Sequence, residues 1–293
     1  MPATEAAPPS AARRAAAPIW AAVLAAAAFV AMDATIKSLA PRYGALQLTV
    51  FRFASGGVFA LLIWAWWRTA LPSGRAWRPH LLRSALLLVT LSLYFHALSL
   101  LALAQAVAMG YLAPIFISLL AMLLLRERPS RGIWVALTLG LVGAAVALWP
   151  ELARSGRPQA AGLAYAGLSA LSFAFVMVLT RRQARTDALP TFLLLQNLLP
   201  LAMLALPAAP FWRPVALEDL PAIAAVGALA SVGLGAITWA LRHAEASRIA
   251  PIEYSGFIWA GLIGYLAFGE VPTLHTAASA LLIAGGCLVL IRR

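Results

Sequence analysis

The chain has one cysteine, Cys287, so no disulfide framework staples it; a thiol inside an apolar run reads as a small packed residue. Charge is scarce too. Asp, Glu, Lys and Arg make up 11% of the sequence, against about 25% in soluble domains, while hydrophobic residues reach 63%. No soluble fold could hide that much apolar surface, which leaves an integral membrane protein with the lipid bilayer as its main partner. Motifs of nucleotide, metal and hydrolytic chemistry are missing: there is no Walker sequence, HExxH, CxxC or GxSxG. Gly-rich pieces such as Gly227 to Gly235 are small residues for helix packing. The chain is therefore not expected to be an enzyme, to hold a metal or to need a cofactor. Acids are the scarcest charged class, 10 against 22 basic residues, a net +12. In a soluble protein this excess would suggest nucleic acid. Here the basic residues sit between apolar runs, where they act as topology signals, and no nucleic-acid partner is expected.

A spanning helix needs about 20 mainly apolar residues. Ten segments qualify: 18–39, 46–67, 81–101, 105–125, 132–149, 160–180, 190–208, 220–241, 248–268 and 274–291. Proline, glycine and arginine punctuate them, as in Pro41-Arg42-Tyr43-Gly44 and Pro72-Ser73-Gly74-Arg75. Residues 1–17, rich in Ala and Pro, read as a disordered cytoplasmic tail rather than a signal peptide. With the N-terminus inside, sixteen of the 22 basic residues fall inside and five outside, with Arg52 in a span. Both termini are predicted to be cytoplasmic.

The second half of the chain repeats the first. Glu127 and Glu270 lie 143 residues apart, and the same offset pairs Pro129 with Pro272, Tyr111 with Tyr254, Ala97 with Ala240, Leu98 with Leu241 and Gly143 with Gly286. Near the start of each half the offset becomes 144, pairing Phe29 with Phe173 and Lys37 with Arg181. The units are residues 18–149 and 160–291, five helices each. Five is odd, so the halves cross the membrane in opposite senses, the inverted-repeat plan of many secondary transporters.

Polar groups inside the spans are the candidate functional residues. Asp33 and Lys37, four apart on one helix, share a face that Arg52 can join. They form a structural cluster at the rim, or else an outer gate or a carboxylate-binding pair. Glu253 either snorkels to the interface or titrates during transport. These four are the candidates for gating or coupling. His96, whose counterpart is Trp239, is a packing residue or a cavity-lining, protonatable one. Tyr111 and Tyr254 lie mid-span at equivalent places, away from the interfacial belts where tyrosine gathers, and read with Ser255 as cavity lining. Pro114 and Pro251 each remove a backbone donor, kinking a span and freeing carbonyls towards a cavity. Gln196 and Asn197 read as inter-helix hydrogen bonds. Glu127 and Glu270 close helices ahead of Pro-Ser and Pro-Thr, and read as structural groups anchoring the hairpins.

Two stretches, YLAPIFISLLAMLLLRERPSRGIWVALTLGLVGAAVAL (Tyr111 to Leu148) and YSGFIWAGLIGYLAFGEVPTLHTAASALLIAGGCLVLI (Tyr254 to Ile291), share a helix–Glu-x-Pro–helix–Gly pattern. In this the chain resembles the drug/metabolite transporter superfamily, in the branch with two five-helix EamA domains. The resemblance implies a basket of ten helices with a cavity lined by helices 3, 4, 8 and 9, and so His96, Tyr111, Trp239 and Tyr254 as lining residues. Phe257 departs from the pattern where the first repeat has Pro114. Within the superfamily the chain is similar to bacterial amino-acid exporters, including those for aromatic amino acids. The expected function is export of small metabolites, amino acids first, across the bacterial inner membrane by alternating access. Protons or a counter-substrate are the candidate coupling partners. A multidrug or other-metabolite exporter is the alternative, and a lipid scramblase the remote one.

Overall fold

The computed structural model describes residues 11–101, 109–154, 159–269 and 274–291, and every regular element among them is helical. The main helices are α1 (Ala11–Leu39), α2 (Ala45–Trp67), α3 (Trp77–Leu100), α4 (Ala113–Leu125), α5 (Arg131–Arg154), α6 (Ala160–Ala184), α7 (Leu189–Ala208), α8 (Leu220–His243), α9 (Gly256–Phe268) and α10 (Leu274–Ile291). A one-turn helix, Ala246–Ile249, runs into a 3-10 stretch, Ala250–Ser255, ahead of α9. Six helical segments among the described residues are long and apolar enough to cross a bilayer, while α4 and the apolar part of α10 are shorter.

Three expectations change. The helix α1 starts at Ala11, so residues 11–17 of the expected tail are helical, as a stretch rich in alanine favours; residues 1–10 lie outside the described residues. The expected spans 105–125 and 248–268 are not continuous helices. A turn at 111–112 precedes α4, and Pro114 sits in its first turn, where the missing N–H costs nothing, so it starts a helix instead of kinking one. Likewise Pro251 lies in the first turn of the 3-10 stretch, and regular α-helix resumes only at Gly256.

Packing crosses between the halves. The helix α1 lies against α8 and α9, α3 against α6 and α7, α2 against α7 and α8, α4 against α6, and α5 against α10. Exchanging each helix for the one five places along leaves this set of pairs unchanged. The α5–α10 contact shows the exchange atom by atom. A β-carbon built on Gly143 would lie 3.2 Å from the Ser279 carbonyl oxygen, and one on Gly286 3.2 Å from the Ala136 carbonyl oxygen. Both contacts obey the offset of 143. Small residues allow this close approach, which matters in lipid, where apolar side chains gain little by leaving one apolar medium for another.

Two backbone positions carry predictions. Arg126 and Gly269, again 143 apart, end α4 and α9 in the left-handed region at φ 57 and φ 68. Glycine adopts that conformation freely, whereas an L side chain there costs about 1–2 kcal/mol. Arg126→Gly should therefore raise the stability of the purified protein by about 1 kcal/mol in a thermal-melt assay. A β-carbon on Gly227 of α8 would lie 2.5 Å from the carbonyl carbon of Ser55 in α2. Gly227→Val should cost about 1–3 kcal/mol by forcing the helices apart. Gly235→Ala, where nothing lies within 4 Å, is the neutral control.

Candidate functional site

A cavity of about 350 Å³ opens between the halves, walled by faces of α1, α2, α3, α6, α7 and α8 and by the stretch leading into α9. Its wall is built from repeat-equivalent positions. Phe29 and Phe173, Met32 and Val176, Asp33 and Met177, Arg52 and Gln196, and Phe53 and Asn197 all line it, each pair 144 residues apart. The backbone places are shared, but the chemistry is not. Asp33 and Arg52 of the first half face neutral mates in the second.

Asp33 keeps an exposed side chain, and Arg52 and Glu253 half-buried ones, although all three belong to helices packed inside the bundle. The surface they present is cavity wall. Asp33 and Arg52 attract each other electrostatically, and the Arg52 guanidinium sits 5.7 Å from the centre of the Phe53 ring. The neutral polar groups of the wall are Thr180, Gln196 and Asn197. Asn197 donates to the Leu193 carbonyl at 2.8 Å, which leaves its own oxygen as an acceptor towards Gly56.

Of the four residues expected to gate or couple, Asp33, Arg52 and Glu253 line the cavity, while Lys37, an exposed residue one turn beyond Asp33 on α1, lies outside the lining. None of the six residues expected to line it does so. His96 is exposed, its Nδ1 2.8 Å from the Ser92 carbonyl and its ring 5.7 Å from Tyr165. It lies nine residues from the lining residue Leu87, about half a turn round α3. Trp239, 37% exposed, stacks at 4.3 Å on His243. It is two residues past the lining residue Ile237, about 200° away. Tyr111 and Tyr254 meet as a stacked pair at 5.7 Å, the Tyr254 hydroxyl donating to the Tyr111 carbonyl at 2.9 Å. Tyr254 is fully buried against Gly140, and Pro114 and Ser255 are also buried. These groups clasp α4, α5 and the approach to α9. Gln196 and Asn197 were the missed lining residues; their offset of 144 from Arg52 and Phe53 was the available clue.

Polar ties close the bundle beyond each end of the cavity. At one end, Arg42 bonds Glu218 at 2.6 Å and Asp219 at 2.7 Å, and the Tyr43 hydroxyl donates to Asp219 at 2.7 Å. That carboxylate holds the Tyr43 phenol above its ordinary pKa. Gln47 and the Arg213 backbone exchange two further bonds, at 2.8 and 3.0 Å. At the other end, Thr69 and Thr191 bond at 2.8 Å, and His80 lies 3.4 Å from Asp187. Asp187 and Tyr43 are 144 apart, so the Tyr43–Asp219 and Asp187–His80 ties each join the first loop of one half to the start of the third helix of the other, whereas Gln47–Arg213 and Thr191–Thr69 each join a second helix to the second loop of the other half.

Glu127 belongs to the second end. Its carboxylate accepts from the Ala246 and Ser247 amides and the Ser247 hydroxyl, each at 3.0 Å, and meets Arg181 at 3.4 Å. Arg181 also donates to the Leu241 carbonyl. Glu127 therefore caps a helix start in the opposite half, where the dipole favours a negative charge, rather than anchoring its own hairpin. Glu270 lies outside the described residues.

The model of the EamA-like transporter family matches twice, over residues 16–149 and 160–292. The chain belongs to this family of multi-pass membrane transporters. It is 28% identical over 274 residues to the pseudopaline exporter CntI of Pseudomonas aeruginosa strain UCBPP-PA14, covering 92% of this chain and 94% of that one. It is also 24% identical over 261 residues to the S-adenosylmethionine uptake transporter of Rickettsia prowazekii, covering 88% and 87%. A solved crystal structure superposes with a TM-score of 0.78 at 22% identity, over 94% of this chain and 95% of the other, and shares its fold. The chain is a transporter, not an enzyme, as these relatives are.

Glu127→Ala should destabilise the protein by about 3–5 kcal/mol, because it leaves the Arg181 charge and two amides without their buried acceptor. Thermal unfolding in detergent, with Arg181→Met in the Glu127→Ala background as partial rescue, checks this.

Proposed function

We propose that the chain is a secondary transporter that exports small organic metabolites, amino acids foremost, across the bacterial inner membrane. Both termini are cytoplasmic, and the halves span the membrane in opposite senses and rock about the cavity between them. The observation that carries this reading is the pairing of opposite charges, Asp33 and Arg52, in one enclosed wall. An α-amino acid offers the complement: a carboxylate for the Arg52 guanidinium and an ammonium for Asp33. A space of about 350 Å³ suits a molecule of that size, at the small end of ligand pockets. Phe29 and Phe173 offer apolar surface for the remainder. The ties at the two ends then act as gates, one set parting while the other holds. Drive comes from protons, a counter-substrate or the cargo's own gradient.

A second reading, a transporter of larger metabolites, is favoured by the relatives named for pseudopaline and S-adenosylmethionine. The latter carries an intact methionine amino-acid end, so the same charge pair would serve it.

Uptake of a labelled amino-acid panel into proteoliposomes tests the proposal. Arg52→Gln and Asp33→Asn should each weaken half-saturation by roughly tenfold or more, the worth of one charged hydrogen bond. His96→Ala and Trp239→Ala should change it less than about twofold, since neither touches the cavity. Absence of saturable uptake for every amino acid would overturn the amino-acid assignment.

A further inference from the structure

Three ionisable side chains line the cavity, and they do not balance. Asp33 and Arg52 offset each other, whereas Glu253 stands apart. Apolar residues share its part of the chain and the cavity wall, among them Ile249, Ile252, Ala26 and Val30, and its side chain makes no hydrogen bond or ion pair among the described residues. A carboxylate in low-dielectric surroundings needs a counter-charge or a proton. Its counterpart in the first half, at offset 143, is Gly110, so the excess acid belongs to one side only.

The backbone aims and holds this group. Glu253 lies on the 3-10 stretch Ala250–Ser255, between Ile252, which is buried, and Tyr254, fixed by its bond to the Tyr111 carbonyl. A β-carbon built on Gly256, one turn on, would lie 3.7 Å from Val30 of α1, and Asp33 follows Val30 by one turn. The two segments run the same way through the bundle, so three residues of 3-10 and three of α-helix separate Glu253 from Asp33 by about 10 Å along the axis. A lysine or arginine side chain has the length to bring a distal charge from the Asp33–Arg52 pair towards Glu253.

We propose that Glu253 docks a second positive charge on the substrate, and that the preferred cargo is a cationic α-amino acid or an analogue with a zwitterionic end and a distal fixed cation. This rests on the amino-acid reading above and narrows it. With Glu253 ionised the wall carries one negative charge in excess, and a net positive cargo supplies the counter-charge that takes the place of a proton.

Binding of L-lysine and L-norleucine to the full-length protein, measured by calorimetry in detergent, tests it; the two ligands share a backbone and differ by the terminal ammonium. Lysine should bind at least tenfold tighter than norleucine. Glu253→Gln should abolish that preference, and Glu253→Asp should retain it in part. Norleucine binding as tightly as lysine to the unaltered protein would overturn the proposal and leave the amino-acid reading intact. A lysine preference that survives in Glu253→Gln would overturn it too. If neither amino acid binds, the underlying reading falls with it.

Discussion

In hydrocarbon, a backbone N–H or C=O without a partner costs several kcal/mol, so the places where helices break decide the structure. Glu127 meets that constraint at the most delicate break. The approach to α9 starts with the free amides of Ala246 and Ser247 near the end of the bundle, and one carboxylate from the other half satisfies both. Arg181 balances the charge and also takes up the last carbonyls of α8 through Leu241. The interrupted helix exists because the neighbouring half supplies its cap. Remove that supply and the 3-10 stretch, Tyr254 and the orientation of Glu253 lose their common support.

A duplicated scaffold with divergent walls follows from the same economy. Packing positions must keep their volumes, so Gly143 and Gly286 are both glycine where α5 and α10 meet. At several cavity positions the two halves carry different chemistry. Asp33 faces a wall where its mate is Met177, and Arg52 one where its mate is Gln196. The symmetry belongs to the backbone, and the chemistry of the wall breaks it.

Much of the fold was legible because membrane burial writes long apolar runs and because the offset of 143 recurs at packing positions. The site was less legible. Ionisable residues in apolar runs are costly enough to stand out, and that cost led to Asp33, Arg52 and Glu253. His96 and Trp239 misled because polarity or ring size does not say which side of a helix faces inward. Histidine satisfied by its own helix at Ser92, and tryptophan resting on His243, need no cavity. Tyr111 and Tyr254 stood at matching places for a structural reason, a stacked pair with a backbone bond. Broken helices escaped notice because proline at a helix start and proline inside a span look alike until the flanking turn is seen.

The polar groups of the wall are shared out between the halves: Asp33 and Arg52 stand on the first, Thr180, Glu253, Gln196 and Asn197 on the second. A ligand that touches one half alone keeps the same contacts wherever the other half sits, so it has no differential affinity for the alternative arrangements. Only a molecule long enough to bridge both senses their relative position. On the proposed reading, cargo length, as much as charge, then decides whether occupancy moves the protein or merely fills it.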